Sequence, residues 1–335
     1  MKAVNVRSPG GLDKLEVVDQ AEPGEPGAGE IRVRVHASSL NFHDYSVVSG
    51  VIPSEDGRIP MSDGAGVVEA VGQGVTEFAA GDHVVSTFIP PWQDGQPKQA
   101  DFSGVPGDGV EGYAREKVIR PADWFTHAPQ GYSHAEAATL TTAGLTAWRA
   151  LVVDGNIKAG DTILVLGTGG VSIFALQFAR MMGARVIATS SSNEKLEKLK
   201  ALGAEHTINY VDEPKWGKKV NALTNGRGVD QVIEVGGPGT VPQSIDAVRI
   251  GGRISLIGVL TGTGGNIPTA KLMIKQAKLE GVVVGSRRHQ QDMIRAIDAT
   301  GMRPIIDSSF PLERIADAFR HEEAGKHFGK ICLEY

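Results

Sequence analysis

Apolar and charged residues alternate through Ile31-Arg-Val-Arg-Val35, the period of two that buries one face of a β-strand and leaves the other wet. Residues 66–72 and 81–85 repeat the theme between glycine turns. This texture of short β runs punctuated by glycine and proline persists from residue 1 to about residue 124 and predicts a β-rich, barrel-like domain. Within it, residues 23–29 read as a loop. Residues 89–112, with Pro90, Pro91, Gly95, Pro97, Gly104, Pro106, Gly107 and Gly109, read as a much longer one. A long loop inside a compact domain is often functional, and this one is expected to cover a site.

Beyond residue 133 the pattern switches to alternating strand and helix. Residues 163–166 form a continuous apolar run, a fully buried strand, and the stretch from Val171 is apolar on nearly every face, a helix packed on more than one side. Further strands are predicted at 183–189, 207–209, 231–235, 253–257 and 280–284, with helices such as 242–248 and 271–277 between them. Six strands in this rhythm predict a doubly wound parallel α/β sheet, whose ligand lies at the carboxyl ends of the strands. A last helix at 312–321 and a strand at 329–333 are expected to rejoin the first domain. The expected domains are residues 1–125 completed by 290–335, and residues 126–289.

Between the first buried strand and its helix stands Gly167-Thr168-Gly169-Gly170, followed by Val171. Glycines there let the backbone turn tightly and bring N–H groups at a positive helix end within reach of a phosphate. Alone, the motif is equally an ordinary strand–turn–helix, because Ser172 replaces the third glycine of Gly-x-Gly-x-x-Gly. Its place at the opening of a complete βαβ unit favours a dinucleotide (Rossmann) site. An acidic residue roughly 20 positions on would bind the ribose hydroxyls of NAD; this chain has Thr189, Ser190, Ser191 and Ser192. Hydroxyls accept a 2′-phosphate that a carboxylate would repel. Lys195 one turn later and Tyr210 past the next strand complete an expected NADP(H) site. Ser191 with Glu194 also reads as a helix capping box, so Ser190 and Lys195 carry more of that expectation. The remaining strand ends, Val235-Gly236, Ile257-Gly258 and Val284-Gly285, are expected beside the nicotinamide and ribose, or are plain turns.

Composition narrows the setting. The 335 residues are 41% apolar and 22% charged, with a net charge of −5 and no basic cluster, so a nucleic-acid surface is excluded and a small-molecule substrate is expected. The longest apolar stretch is broken by glycines and polar residues, which argues against a membrane span. A single cysteine, Cys332, allows no internal disulfide, and a cytoplasmic setting is expected.

Asn41-Phe-His-Asp44, Asp63-Gly-Ala-Gly-Val-Val-Glu-Ala-Val-Gly72, Ala143-Gly-Leu-Thr-Ala-Trp148, Gly167-Thr-Gly-Gly-Val171 and His327-Phe-Gly-Lys330 together resemble the medium-chain dehydrogenase/reductase superfamily, in particular its zinc-free, quinone-oxidoreductase-like branch. The resemblance implies a GroES-like catalytic domain formed by both chain ends, a nicotinamide domain between, an active site in the cleft and a homodimer. It places Asn41 and Tyr45 beside the nicotinamide as catalytic candidates, Asn41 holding the carboxamide or substrate carbonyl and Tyr45 either supplying a proton or serving as a structural tyrosine. Thr142 and Thr146 are implied to line the cofactor. Trp92 and Phe102 on the long loop either stack on a flat acceptor or anchor the loop.

Where zinc-dependent members carry a cysteine, a histidine and a cysteine, this chain has His43 or its neighbours, Ser62 and Thr142, and the long loop lacks the cysteines of a structural zinc. His43 with Asp44, Asp63 and His83 is an unattractive alternative ligand set; no metal is expected, and His43 and His83 default to surface or core roles. Without a Lewis acid to stabilise an alkoxide, the easier reaction is hydride delivery from NADPH to a quinone or an α,β-unsaturated carbonyl. The alternatives are a zinc-independent alcohol or aldehyde dehydrogenase, and a low-turnover NADPH-binding sensor or structural protein.

Overall fold

The computed structural model describes residues 1–335, the side chain at position 100 aside. The chain opens with a hairpin, β1 (Lys2–Val6) against β2 (Leu15–Asp19), antiparallel. The alternating run becomes β3 (Glu30–Ser39), with Ile31, Val33 and Val35 buried. After α1 (Phe42–Val48) come β4 (Ala65–Val71), β5 (His83–Ser86), β6 (Lys117–Pro121) and β7 (Phe125–His127). Ser133 then caps α2 (His134–Ala138): its Oγ accepts the Glu136 N–H at 3.2 Å while Glu136 reaches back to the Ser133 N–H at 2.8 Å. A π-turn at Leu140–Gly144 leads into the short α3 (Leu145–Trp148), within which the chain leaves the first compact unit.

The second unit, Thr146–Val283, is the parallel sheet. Its elements in order are β8 (Thr162–Leu166), α4 (Gly170–Met181), β9 (Arg185–Ser190), α5 (Asn193–Ala201), β10 (His206–Asn209), α6 (Trp216–Leu223), β11 (Val229–Glu234), α7 (Val241–Ala247), β12 (Val248–Leu256), α8 (Thr269–Ile274) and β13 (Lys278–Gly281). The strand order is β10-β9-β8-β11-β12-β13, every pair parallel. Every residue of β8 is buried, as a strand covered on both faces requires. Leu164, Ile187, Val232 and Ile254 pack with Trp216, Val220 and Ile245, and Phe178 of α4 meets Trp148 edge-on at 5.5 Å. The last strand begins and ends earlier than residues 280–284 because the chain turns out of the sheet: Val284 sits at φ 45°, outside any strand geometry.

The chain then returns to the first unit, which comprises Met1–Leu145 and Val284–Tyr335. Residues 126–145 and 284–289 thus fall in the first unit, whereas all of 126–289 is expected in the second; α2 packs on β3, β4 and β5. Here α9 (Arg287–Thr300) runs between a Ser286 cap and a left-handed Gly301. It is followed by β14 (Ile306–Pro311), α10 (Ile315–Glu323) and β15 (Lys330–Glu334). The sheet order β14-β15-β3-β4-β5-β7, with β6 also on β3, shows the tail rejoining the N-terminal strands. Cys332, Leu333 and Glu334 pair with Ser39, Ser38 and Ala37. Ala3, Val4, Leu40, Val48 and Met61 share one core with Ile315, Phe319, Ile331 and Leu333. Among the described residues no helix is long and apolar enough to cross a membrane.

Three imidazoles meet on this unit. His36 stacks on His134 at 4.6 Å, and His134 Nε2 lies 3.1 Å from His83 Nδ1. Burial, then the neighbouring His36 and His83, pushes His134 down to about 4. A base whose folded pKa lies below its unfolded value of about 6.5 is neutral in the fold, and the unfolded chain takes up its proton first. Its contribution is therefore complete above pH 6.5 and is lost as pH falls through 4. Between those limits the wild type should lose about 1–2 kcal/mol more than His134→Gln, after discounting for exposure. Urea midpoints across the range check this; parallel curves would contradict it.

Candidate active site

The helix α1 starts at Asn41, whose backbone is extended (φ −134°). Asp44, three residues on, accepts the Asn41 N–H at 3.1 Å and its Nδ2 at 2.9 Å, and accepts the Ser62 N–H at 2.8 Å through its other oxygen. The Asn41 amide also donates to Asp63 Oδ2 at 2.9 Å, while its Oδ1 accepts from Lys330 Nζ at 2.6 Å. Asp63 collects Ser39 Oγ at 2.5 Å and Thr142 Oγ1 at 2.6 Å. Thr142 lies in the π-turn, a helix irregularity frequent at functional sites. Lys330 Nζ stands 3.9 Å from Asp63 and also donates to the Leu40 carbonyl.

All of this is out of water. Asp63 has no exposed surface and the Lys330 side chain is 4% exposed. Burial pushes the Asp63 carboxyl above its ordinary range, while Lys330 draws it back. Burial likewise raises Glu322 to about 7, opposed by Lys330 and assisted by Asp44. One ammonium serves two buried carboxylates, Asp63 and Glu322.

These residues do not fit a catalytic zinc. The positions expected to supply its ligands hold an amide, His43 and two hydroxyls, whereas zinc takes thiolates, imidazoles and carboxylates. The amide and the Thr142 hydroxyl are already spent on Asp63, beside a resident positive charge. Among the described residues no group of three or more His, Cys, Asp or Glu side chains is arranged to hold a metal.

Tyr45 faces elsewhere. Its hydroxyl donates to Glu323 Oε1 at 2.9 Å and its ring packs near Phe319 at 6.4 Å. This bond favours the structural reading of Tyr45 over the proton donor, and the phenol is raised by that hydrogen bond and then by burial. Trp92 also anchors: it is 2% exposed, donates Nε1–H to the Gly95 carbonyl at 2.9 Å and meets His289 edge-on at 5.7 Å. Stacking of Trp92 on an acceptor is excluded by that burial, whereas Phe102 remains exposed. The long loop is irregular apart from a 3₁₀ turn at Gln99–Gly104.

Sequence reasoning passed over His43 as a surface or core residue. Its ring is mostly buried, with Nε2 3.5 Å from Asp108 Oδ2 on the long loop, Nδ1 3.9 Å from Asp44 Oδ1, and Phe88 edge-on at 5.3 Å. Burial opposes its charge, but Asp108 and Asp44 outweigh it and raise the imidazole to about 9. The signal available was Asp44 adjacent in sequence; Asp108, 65 positions away, was not legible.

In the second unit, Gly167 follows β8 at φ 75°, a conformation that side chains resist. Beside it a Cβ at Gly167 or Gly169 would meet open space. Gly169 caps α4 without any side-chain bond to its N–H groups, so Gly167, Thr168, Gly169, Gly170 and Val171 form a cradle that fits a pyrophosphate. Ser172 stands in for the third glycine because its Oγ donates to the Leu166 carbonyl at 2.6 Å, fastening helix to strand. Ser190 ends β9, buried, its Oγ accepting the Ser192 N–H at 3.2 Å. The cap of α5 is Ser192, which accepts the Lys195 N–H at 3.3 Å, and not the expected Ser191. The extended backbone reaches one residue further than the box allowed, and Ser191 stays exposed. Tyr210 is exposed past β10, and Thr146 is buried.

The other strand-end glycines have packing reasons of their own. A Cβ on Gly258 would sit 2.1 Å from the Val235 carbonyl. The Gly236 and Gly237 N–H groups donate to Glu234, which also takes Thr240 Oγ1 at 2.5 Å and Ser244 Oγ. This fully buried brace, missed in the sequence, fixes Val235, Gly236 and Ile257, whose N–H bonds the Glu234 carbonyl at 2.8 Å. Val284 and Gly285 open the returning segment, where a Cβ on Gly285 would press on Leu145 at 3.0 Å.

A GroES-like barrel and a nucleotide-cradling parallel sheet define an oxidoreductase that works with a nicotinamide cofactor on small molecules. Comparison with known proteins agrees. Residues 27–130 match the alcohol dehydrogenase GroES-like domain and residues 170–300 the zinc-binding dehydrogenase family. A zinc-type alcohol dehydrogenase-like protein of Schizosaccharomyces pombe is 39% identical over 332 residues, covering 97% of this chain and 96% of that one. A crystal structure of an NAD-dependent alcohol dehydrogenase aligns with TM-score 0.90 at 36% identity, over 100% of both chains. A Pseudomonas syringae pv. tomato quinone oxidoreductase aligns with TM-score 0.83 at 30% identity, over 100% of this chain and 99% of that one. The chain belongs to the medium-chain dehydrogenase/reductase superfamily.

Removing one partner of the buried pair should be costly. Lys330→Met leaves Asp63 uncompensated and should lower stability by about 3–5 kcal/mol, with more than half regained in the double variant with Asp63→Asn. Urea titrations of the three variants measure this, and a loss under about 1 kcal/mol in the single variant would contradict it.

Proposed function

We propose that this protein reduces a quinone or an α,β-unsaturated carbonyl by direct hydride transfer from NADPH, without zinc. The observation that carries the reading is the Asn41–Asp63–Lys330–Thr142 network, which holds two of the expected zinc-ligand positions, Asn41 and Thr142, in hydrogen bonds to a buried carboxylate. An acceptor that delocalises the incoming charge through its own conjugation needs no Lewis acid. The bound nicotinamide would supply the hydride. The chain's own part is to hold, orient and exclude water. Gly167 to Val171 would hold the pyrophosphate. The exposed Ser191 hydroxyl with Lys195, alongside Ser190 and Tyr210, would hold a 2′-phosphate, with no carboxylate at the end of β9 to repel it. Asn41, Thr142 and Thr146 remain the residues we assign to the nicotinamide side. The buried Cys332 thiol, pushed up to about 12 by burial, suits a structural role in a reducing cytoplasm.

We read the working form as a homodimer. β13 ends the sheet order, and apolar side chains stand out around it, Met273 72% and Ile274 69% exposed with Ile250, Leu260 and Val283. Light scattering on the eluting protein should give about twice the chain mass of 35.4 kDa, and Met273→Glu with Ile274→Glu should give the single chain. A wild type that elutes as one chain would overturn this.

With a chelator present, NADPH oxidation should proceed with quinones and enones, and secondary alcohols should not be oxidised. Lys195→Ala should raise KM for NADPH about tenfold, the scale of one charge-assisted contact, and leave KM for NADH unchanged. Equal use of the two nucleotides by the wild type would contradict the phosphate assignment, and zinc-dependent alcohol oxidation would contradict the chemistry.

A further inference from the structure

We propose that His43 is the general acid of this site, delivering a proton from Nε2 to the oxygen of the reduced acceptor, with Asp44 facing the ring's inner edge and Asp108 facing Nε2 from the long loop. The inference rests on the reductase reading above and names the proton donor that Tyr45, bonded to Glu323, does not supply.

The geometry distinguishes the two ring nitrogens. Nδ1 is buried, without a hydrogen-bond partner, and faces Asp44 Oδ1 at 3.9 Å. Nδ1 is closed to a ligand, and the ring's 23% exposure leaves the Nε2 edge as the side that can meet one. Nε2 faces Asp108 Oδ2 at 3.5 Å, well beyond the 2.7–2.9 Å of a closed ionic hydrogen bond. Its proton is held in place without being committed. Asp44 cannot swing to take it, because both of its oxygens are fixed, by the Ser62 N–H and by Asn41. The charged groups facing the ring are Asp44 from its own helix and Asp108 from the loop. Phe88 closes the remaining side. Two carboxylates keep the ring cationic through neutral pH and up to about 9, close to the acidity of an enol or hydroquinone and therefore efficient for general acid catalysis.

The step balances. The hydride, which a bound dihydronicotinamide would give up from its C4–H bond as it is oxidised to the nicotinamide, forms one C–H bond at the β-carbon of an enone, and the alkene pair moves to place the charge on the carbonyl oxygen. The Nε2–H bond breaks as that oxygen takes the proton. The neutral imidazole is then reprotonated from water, and the enol tautomerises to the saturated ketone. A quinone reduced by hydride becomes the hydroquinone monoanion, which takes the same proton.

The test is the pH dependence of kcat with NADPH and an enone for wild type, His43→Gln and Asp108→Asn, with nucleotide binding followed by fluorescence. The wild type should lose kcat above about pH 9. His43→Gln should lower kcat by about 10²-fold or more, abolish that limb and bind NADPH within about twofold of wild type. Asp108→Asn, a change in a partly exposed loop residue, should shift the limb down by roughly one unit without loss of fold. Turnover in which His43→Gln keeps both its rate and the limb, or Asp108→Asn leaves the limb in place, overturns the assignment alone. A wild type that reduces no quinone or enone overturns the reductase reading and the assignment with it.

Discussion

The first unit depends on a buried ammonium. Lys330 opens β15, the last strand of the chain, yet it bonds Asn41 and the Leu40 carbonyl nearly 300 positions earlier and stands 3.9 Å from Asp63. Stripping an ion of water costs several kcal/mol, so neither Lys330 nor Asp63 is tenable alone, and each makes the other's burial possible. The consequence is topological. Strand β15 closes onto β3, so the charge is met where the chain's two ends share one sheet, the second unit being inserted between them in sequence. The consequence is also chemical, since the Asn41 amide and the Thr142 hydroxyl, at positions expected to hold zinc ligands, are both bonded to this charged pair's carboxylate.

The second unit works by different means. Its nucleotide cradle owes nothing to charged side chains. It follows from a glycine at positive φ, a helix end left uncapped by side chains, and a serine hydroxyl that ties the helix to the strand end. The neighbouring strand end is braced by Glu234, whose carboxylate accepts two backbone N–H groups and two hydroxyls. That brace keeps the loop after β11 rigid at the carboxyl edge of the sheet, where pre-organised backbone costs least to bind a ligand.

Much of the fold was legible where one physical cause acted alone. β3 alternates because one face of its sheet is wet, and β8 is a solid apolar run because both faces are covered. β14 was missed because Ile306–Pro311 mixes serines, an aspartate and a proline with half-exposed positions, a pattern without a strand's hydrophobic signal. The end of β13 was misjudged because Val282 and Val284 are buried as strand residues would be, although at Val284 the backbone has left strand geometry. The site was legible in part. The glycines and Asn41 declared themselves by motif, but Glu234, Lys330 and His43 act through partners far away in sequence or on hydroxyls with no spacing rule. A helix cap one residue off, at Ser192, shows the same limit at short range: Ser191 and Ser192 are chemically equal, and only backbone geometry chooses between them.

The central claim is that the chain moves a hydride onto carbon with its own charges in place of a metal. The most direct measurement uses NADPH deuterated at the transferable position, an enone acceptor and protein stripped of metal, with the product read by mass spectrometry and NMR. The account predicts one deuterium at the β-carbon, none at the α-carbon, and a rate unchanged by added zinc. A product without deuterium, or deuterium transfer that appears only when zinc is restored, would contradict it.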